Sequence, residues 1–78
     1  MALTGNLLLS ELSDNKFPDM KVYQNIKTID LQHLKNIDSA GVAYLVQIKT
    51  NNSDVSFVGV SDKILILADL YGVNFLFK

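Results

Sequence analysis

The chain has 78 residues, 49% of them hydrophobic and 19% charged, so a single folded domain over residues 1–78 is expected and not a disordered segment. Seven basic and eight acidic residues leave a net charge of −1, which argues against nucleic acid as a partner because no excess of positive charge attracts phosphates. There is no cysteine, and His33 is the single histidine, so neither a disulfide nor a metal site is expected.

No apolar run approaches the roughly 20 residues that a membrane-spanning helix needs. The start of the chain, "MALTGNLLLSELSDNKF", has neither a basic segment nor a small-residue cleavage signal. We therefore expect a cytoplasmic protein with no spanning segment of its own.

The first predicted element is a short helix over residues 6–13, "NLLLSELS". Its leucines 8, 9 and 12 fall on one face, and Pro18 prevents the helix from continuing. Residues 28–31, "TIDL", are short and β-branched and predict a strand. The following "QHLKNIDSAG", residues 32–41, is interpreted as a loop at the carboxyl end of that strand.

Residues 39–50, "SAGVAYLVQIKT", predict a helix of about three turns. The side chains at helical spacing that are expected to face the core are Val42, Leu45, Val46 and the stem of Lys49. The opposite face presents a stripe that we interpret as a candidate partner surface, formed by Ala40, Ala43, Tyr44 and Gln47. Tyr44 is its candidate anchor, because aromatic residues with a polar tip are favoured at interface centres.

The second half continues the alternation of helices and strands. Residues 51–54 predict a loop, residues 55–58 a strand, and Gly59 a turn. The next helix is predicted over residues 61–71 with Gly72 as its stop, and residues 73–77, "VNFLF", are predicted as a last strand. The apolar stripe expected to face the core on that helix consists of Ile64, Leu67, Ala68 and Tyr71.

Two further apolar residues of this helix, Ile66 and Leu70, lie off the stripe and fit either burial or a partner contact. Helices that alternate with short strands predict an α/β fold with a partly parallel sheet, because parallel neighbours need helical crossovers.

The junction "DSAG", residues 38–41, combines an acid, a hydroxyl and a glycine at the start of a predicted helix. Asp38 or Ser39 can serve as the N-cap. Capping does not explain Gly41, which costs up to about 1 kcal/mol in a helix relative to alanine. Its missing side chain indicates a close approach, either by another element of the chain or by a partner surface. Ser39 is also a candidate phosphorylation site, since phosphate would add negative charge at the helix N-terminus.

At these residues the sequence resembles STAS domains, in "IDLQHLKNIDSAGVAYLVQI" (29–48) and in "GVSDKILILADLYGV" (59–73). The second segment resembles the MlaB-type proteins of the bacterial Mla phospholipid-trafficking system more than it resembles sigma-factor regulators. The resemblance covers about residues 3–73.

The resemblance implies a non-catalytic cytoplasmic subunit that binds the ATPase of an ABC transporter, MlaF-like, and through it the inner-membrane permease. It places the contact at Asp38, Ser39, Ala40 and Gly41. The alternative is an anti-sigma factor antagonist that is switched by phosphorylation of Ser39.

The sequence departs from the STAS pattern at its start, because residues 2–7, "ALTGNL", resemble the second strand of the family and not the first. The family's first strand would then have no counterpart before Met1, through either a late translation start or a shorter sheet. This interpretation competes with the helix over residues 6–13. An unpaired sheet edge would favour strand pairing between chains, so a homodimer is a further hypothesis.

The residues do not favour an enzyme. Asp30 and Asp38 could form a carboxylate pair, but Asp30 falls within a predicted strand and resembles a structural acid of the family. Ser39 has no identifiable base, and His33 is interpreted as a solvated loop residue. The four glycines are scattered and form no phosphate loop, so ATP is expected to bind the partner and no cofactor is assigned to this chain.

Overall fold

The computed structural model describes residues 1–77. The strands are β1 (Gly5–Leu7), β2 (Thr28–Asp30), β3 (Leu34–Ile37) and β4 (Ser56–Val58). The α-helices are α1 (Leu9–Ser13), α2 (Ser39–Asn51) and α3 (Asp62–Leu70), and two short 3₁₀ helices span Met20–Tyr23 and Asn74–Phe77.

The strands form two small parallel sheets, one of β1 with β3 and one of β2 with β4. A single parallel bridge between Ala2 and Asp30 also connects the N-terminal segment to β2. Parallel pairing requires crossovers: the chain runs from β2 to β4 through β3 and α2, and from β1 to β3 through α1, the first 3₁₀ helix and β2. The expected α/β class is therefore confirmed, but the expected single, small mixed sheet is wrong, because the strands form two separate sheets that are both parallel.

The helices cover a continuous core, to which every strand except β4 contributes a buried side chain. The buried hydrophobic residues are Leu3, Leu7, Tyr23, Ile29, Leu31, Ile37, Val42, Tyr44, Leu45, Ile48, Val55, Ile64, Ala68 and Phe77. In α2, Val42 and Leu45 are buried as predicted, while Val46 and Lys49 are half-buried. The Lys49 ammonium donates to the Val55 carbonyl, so its stem does lie along the packed side of the helix.

Two predicted elements are wrong in part. The helix predicted over residues 6–13 begins at Leu9, because residues 5–7 pair with β3. The alternative interpretation of residues 2–7 as a strand is therefore correct for residues 5–7, which form β1. The loop predicted over residues 32–41 contains β3, whose middle residues are exposed and give no apolar alternation.

Residues 73–77 do not form a strand. Gly72, with φ +72°, ends α3 in a Schellman motif: its N–H donates to the Asp69 carbonyl, and the Val73 N–H donates to the Ala68 carbonyl. This turn folds the tail back, and the ring of Phe77 stacks on Phe57 at 5.2 Å between centroids. Helix α3 keeps Ile64 and Ala68 buried and Leu67 half-buried.

The remaining stripe residue, Tyr71, is 54% exposed, so its predicted core position is wrong; it caps the helix end, where the chain turns away. Ile66 and Leu70 are 67% and 72% exposed, which decides against their burial within residues 1–77.

Candidate functional site

The Asp38 carboxylate joins the N-termini of two helices. As the N-cap of α2 it accepts from the Gly41 N–H at 2.9 Å through Oδ1. Its Oδ2 accepts from the Leu9 N–H at 2.9 Å, in the first turn of α1. The α1 cap position, Leu8, has no side chain that could do this. Of the two capping alternatives, Asp38 is therefore the N-cap, and it serves both helices.

These hydrogen bonds also lower the pKa of the Asp38 carboxyl group. The hydrogen bond from the Leu9 N–H, and then those from Gly41 and Ala40, hold the pKa of the carboxyl below its usual range. Partial burial opposes them without reversing the direction. Asp38 therefore stays ionised to a lower pH than an ordinary aspartate, both of its oxygens accept backbone N–H groups, and its observed role is to position the start of α2.

Gly41 is buried where α2 crosses β1. A Cβ at this position would lie 2.2 Å from the Leu7 carbonyl oxygen and 2.7 Å from Ile37 Cγ1. Both distances are far below van der Waals contact. Of the two sequence alternatives, the close approach is therefore made by another element of the chain, and Gly41 sets how near α2 packs to the sheet.

The residues of the predicted partner stripe divide into two groups. Ser39, Ala43 and Gln47 are exposed and follow each other at four-residue spacing, so they share one face of α2. Ala40 is half-buried beside them. Tyr44 is only 8% exposed, and its predicted outward position is wrong. The surface that α2 leaves open thus carries small and amide side chains and begins with a hydroxyl.

Tyr44 is buried because residues 17–23 fold over α2. Its hydroxyl donates to the Pro18 carbonyl and lies 2.8 Å from the hydroxyl of Tyr23, which is fully buried. The rings of Phe17 and Tyr23 pack on it with centroids at 5.8 and 6.0 Å. Burial raises the pKa of both tyrosines, above all that of Tyr44, so both hydroxyls remain protonated donors.

A groove of about 540 Å³ runs between α2 and the segment that covers it. From α2 it is lined by Ala40, Ala43, Tyr44 and Gln47, and from the other side by Leu12, Asn15, Phe17, Pro18, Asp19 and Met20. The α2 side of the groove was predicted as a surface. The sequence analysis did not predict the opposite wall. The sequence signal for it is the apolar pair Phe17–Pro18, which lies within an otherwise polar connection.

The other singled-out residues, Asp30 and His33, lie at the end of β2 and in the turn that follows it. The Asp30 carboxylate accepts from the Gln32 backbone N–H at 2.9 Å and from its side-chain amide at 3.1 Å. Gly59, with φ +66°, packs so closely that a Cβ would lie 2.6 Å from Asp30 Oδ1. Asp30 therefore has a structural role in the turn after β2. His33 is exposed, as expected for a loop side chain.

Within residues 1–77, no cluster of three or more His, Cys, Asp or Glu side chains is placed to hold a metal ion. In the same part of the chain, no helix has the length and apolar character needed to cross a membrane. No protein-family model matches the chain, and no curated protein matches it either.

Proposed function

We propose that the chain is a STAS-like, non-catalytic subunit that binds the ATPase of an ABC phospholipid transporter. In this proposal the transporter is of the Mla type, which maintains outer-membrane lipid asymmetry. The subunit lies in the cytoplasm and reaches the inner membrane only through the ATPase and its permease. The resemblance over residues 29–48 and 59–73 motivates the proposal.

The observation that carries it is the open face of α2 beside the groove. Ser39 and Ala43 are exposed, and Ala40 lines the groove together with Ala43. Small side chains let a partner approach the helix backbone closely, and the apolar wall at Phe17 and Pro18 offers a place for an inserted side chain. Such a surface suits a protein partner better than a charged small molecule.

The contact is proposed to consist of Ser39, Ala40, Ala43 and Gln47, with Tyr44 as the floor of the groove. Asp38 and Gly41 contribute indirectly, because they hold α2 against α1 and β1. Substitution of either residue would therefore lower the stability of the domain, and a loss of binding could not be assigned to the contact.

The sharpest test is Ser39→Glu against Ser53→Glu in an affinity pull-down from the cells that make the protein, with the inner membrane solubilised. Both serines are exposed and lie near opposite ends of α2. An acid in the first turn of a helix is favourable, so Ser39→Glu should not weaken folding. We expect the wild type and Ser53→Glu to recover an ATPase and its permease, and Ser39→Glu to lose them.

Two results would contradict the proposal: a wild-type chain that recovers no ABC ATPase, or equal recovery by all three chains. Circular dichroism and urea unfolding of the variants show whether each is folded, so that a loss of binding can be assigned to the contact.

The second candidate is an anti-sigma factor antagonist switched by phosphorylation, and the exposed Ser39 at the first position of α2 favours it. Phosphate at that position would add about 1.5 to 2 negative charges next to Ala40, which lines the groove. Intact-mass measurement of the protein isolated from cells tests it. A stoichiometric phosphate on the wild type that is absent from Ser39→Ala supports the switch, and an unmodified chain with a bound ATPase excludes it.

A further inference from the structure

The outer edge of the N-terminal segment has free backbone groups. On the inner side, the Met1 carbonyl accepts from the Asp30 N–H at 2.8 Å, and the Leu3 N–H donates to the Asp30 carbonyl at 3.1 Å. Successive residues of an extended strand direct their backbone groups to alternate sides. The N–H and C=O of Ala2 and Thr4 therefore point away from β2, and within residues 1–77 they have no backbone partner.

This edge is also accessible. A groove of about 440 Å³ runs along residues 1–6 and is closed on its far side by Glu11, Lys16, Phe17 and Pro18. Ala2 and Thr4 are exposed. The regular edge ends at Gly5, where φ is +83° and the register with β3 shifts. The open edge is therefore a short extended segment with one free donor and one free acceptor on each of two residues.

We propose that this edge pairs with the same edge of a second copy of the chain, antiparallel and about a two-fold axis that passes beside Leu3. In this register Ala2 of each copy lies opposite Thr4 of the other, and the two pairs exchange four N–H···O=C bonds. All the free groups of Ala2 and Thr4 are then satisfied. A register that places Ala2 opposite Ala2 leaves both Thr4 residues without a regular partner.

Shape and charge at the groove also fit a second copy. Met1, which is 46% exposed, would lie opposite Gly5 of the other copy. A Cβ built on Gly5 meets no atom within 4 Å, so there is space for the Met1 side chain. Among its side chains the groove carries one acid, Glu11, and one base, Lys16, so neither sign of side-chain charge dominates where the two copies would meet. The net charge of −1 gives little repulsion between them.

Four hydrogen bonds over a short edge make a small interface, so the dimer should be weak and depend on concentration. The first test is sedimentation equilibrium over a range of concentrations for the wild type, Thr4→Pro and Thr4→Val. Proline removes the outward N–H of Thr4 and leaves the inward bonds of Leu3 in place. We expect the wild type and Thr4→Val to rise from 8.7 kDa toward twice that mass, and Thr4→Pro to remain a monomer.

The register has a second test that does not require proline to be tolerated. The chain has no cysteine, so Ala2→Cys and Thr4→Cys each introduce a single thiol. When the two variants are mixed and mildly oxidised, we expect the mixed disulfide dimer in clear excess over either homodimer. Disulfide geometry requires the two Cβ atoms to be near neighbours, which only this register provides for the mixed pair.

A wild type that stays monomeric at every concentration would overturn the proposal. So would a dimer that Thr4→Pro leaves intact and in which the mixed disulfide is not favoured, since it would use another face, such as the exposed Ile66, Leu70 and Phe75. Neither result bears on the ATPase contact, because these experiments use the isolated chain and leave Ser39, Ala43 and Gln47 unchanged.

Discussion

Replacing Gly41 with alanine tests whether α2 is held against β1 by backbone contact. The added Cβ would lie 2.2 Å from the Leu7 carbonyl oxygen, more than 1 Å inside the 3.4 Å at which ordinary contact begins. Because the obstacle is backbone, α2 must move away from the strand as a unit. Insertion of an extra group into a packed core costs about 1–3 kcal/mol, and more where nothing can yield.

A second effect of the same substitution has the opposite sign. In a helix with free space, glycine to alanine stabilises by about 1 kcal/mol. The overlap is the larger effect here, so we expect Gly41→Ala to lower the free energy of unfolding by about 2 kcal/mol, the upper part of the overpacking range less the propensity gain. Urea unfolding followed by circular dichroism measures it.

Ala43→Gly is the matched control for Gly41→Ala. Ala43 is exposed on the same helix, so its substitution changes helix propensity alone and should cost about 1 kcal/mol. If Gly41→Ala instead raised the unfolding free energy, Gly41 would have the space that the 2.2 Å overlap denies it, and the close approach of α2 to β1 would be refuted.

Two further substitutions test the hydrogen bonds around α2. Asp38→Asn cannot accept from both helix ends as the anion does, and it should cost about 1–2 kcal/mol near neutral pH. Because the folded-state pKa of Asp38 lies below the unfolded value of 3.8, its stabilisation is present above that pH and is lost as pH falls through the folded pKa. Wild-type unfolding free energy should therefore fall more steeply than that of the variant in acid, and parallel pH profiles would contradict this. Tyr44→Phe leaves the buried Tyr23 hydroxyl without its partner and should cost about 1–3 kcal/mol, whereas the exposed Tyr71→Phe should change stability by less than about 0.5 kcal/mol. Equal urea midpoints for the two tyrosine variants would rule out the buried network.

The two long helices could be predicted from sequence because their limits are set locally. Helix α2 was expected over 39–50 and spans Ser39–Asn51, and α3 was expected over 61–71 and spans Asp62–Leu70. Each begins at a side chain that caps it, Asp38 or Ser61, and Gly72 stops α3 through its left-handed φ. Such signals act over a few residues and do not depend on the rest of the fold.

The elements that were missed are set by distant parts of the chain. β3 has only four residues, two of them exposed, and it is a strand because β1 lies beside it some thirty residues away in sequence. Tyr44 was assigned to the outer face of α2 from helical spacing alone. It is buried because the segment around Pro18 packs over it, and the spacing of residues within α2 cannot predict a contact with that distant segment.

The same long-range contacts determine which residues can be substituted to test partner binding. The wall of the groove at Phe17 and Pro18 is held to α2 through the Tyr44 hydroxyl, and α1 is held through Asp38. A substitution at either anchor would move the groove and lower stability together, so a lost contact could not be separated from a displaced wall. Ala43 and Gln47 hold neither wall and are exposed, so substitutions there can alter a partner contact while the groove remains in place.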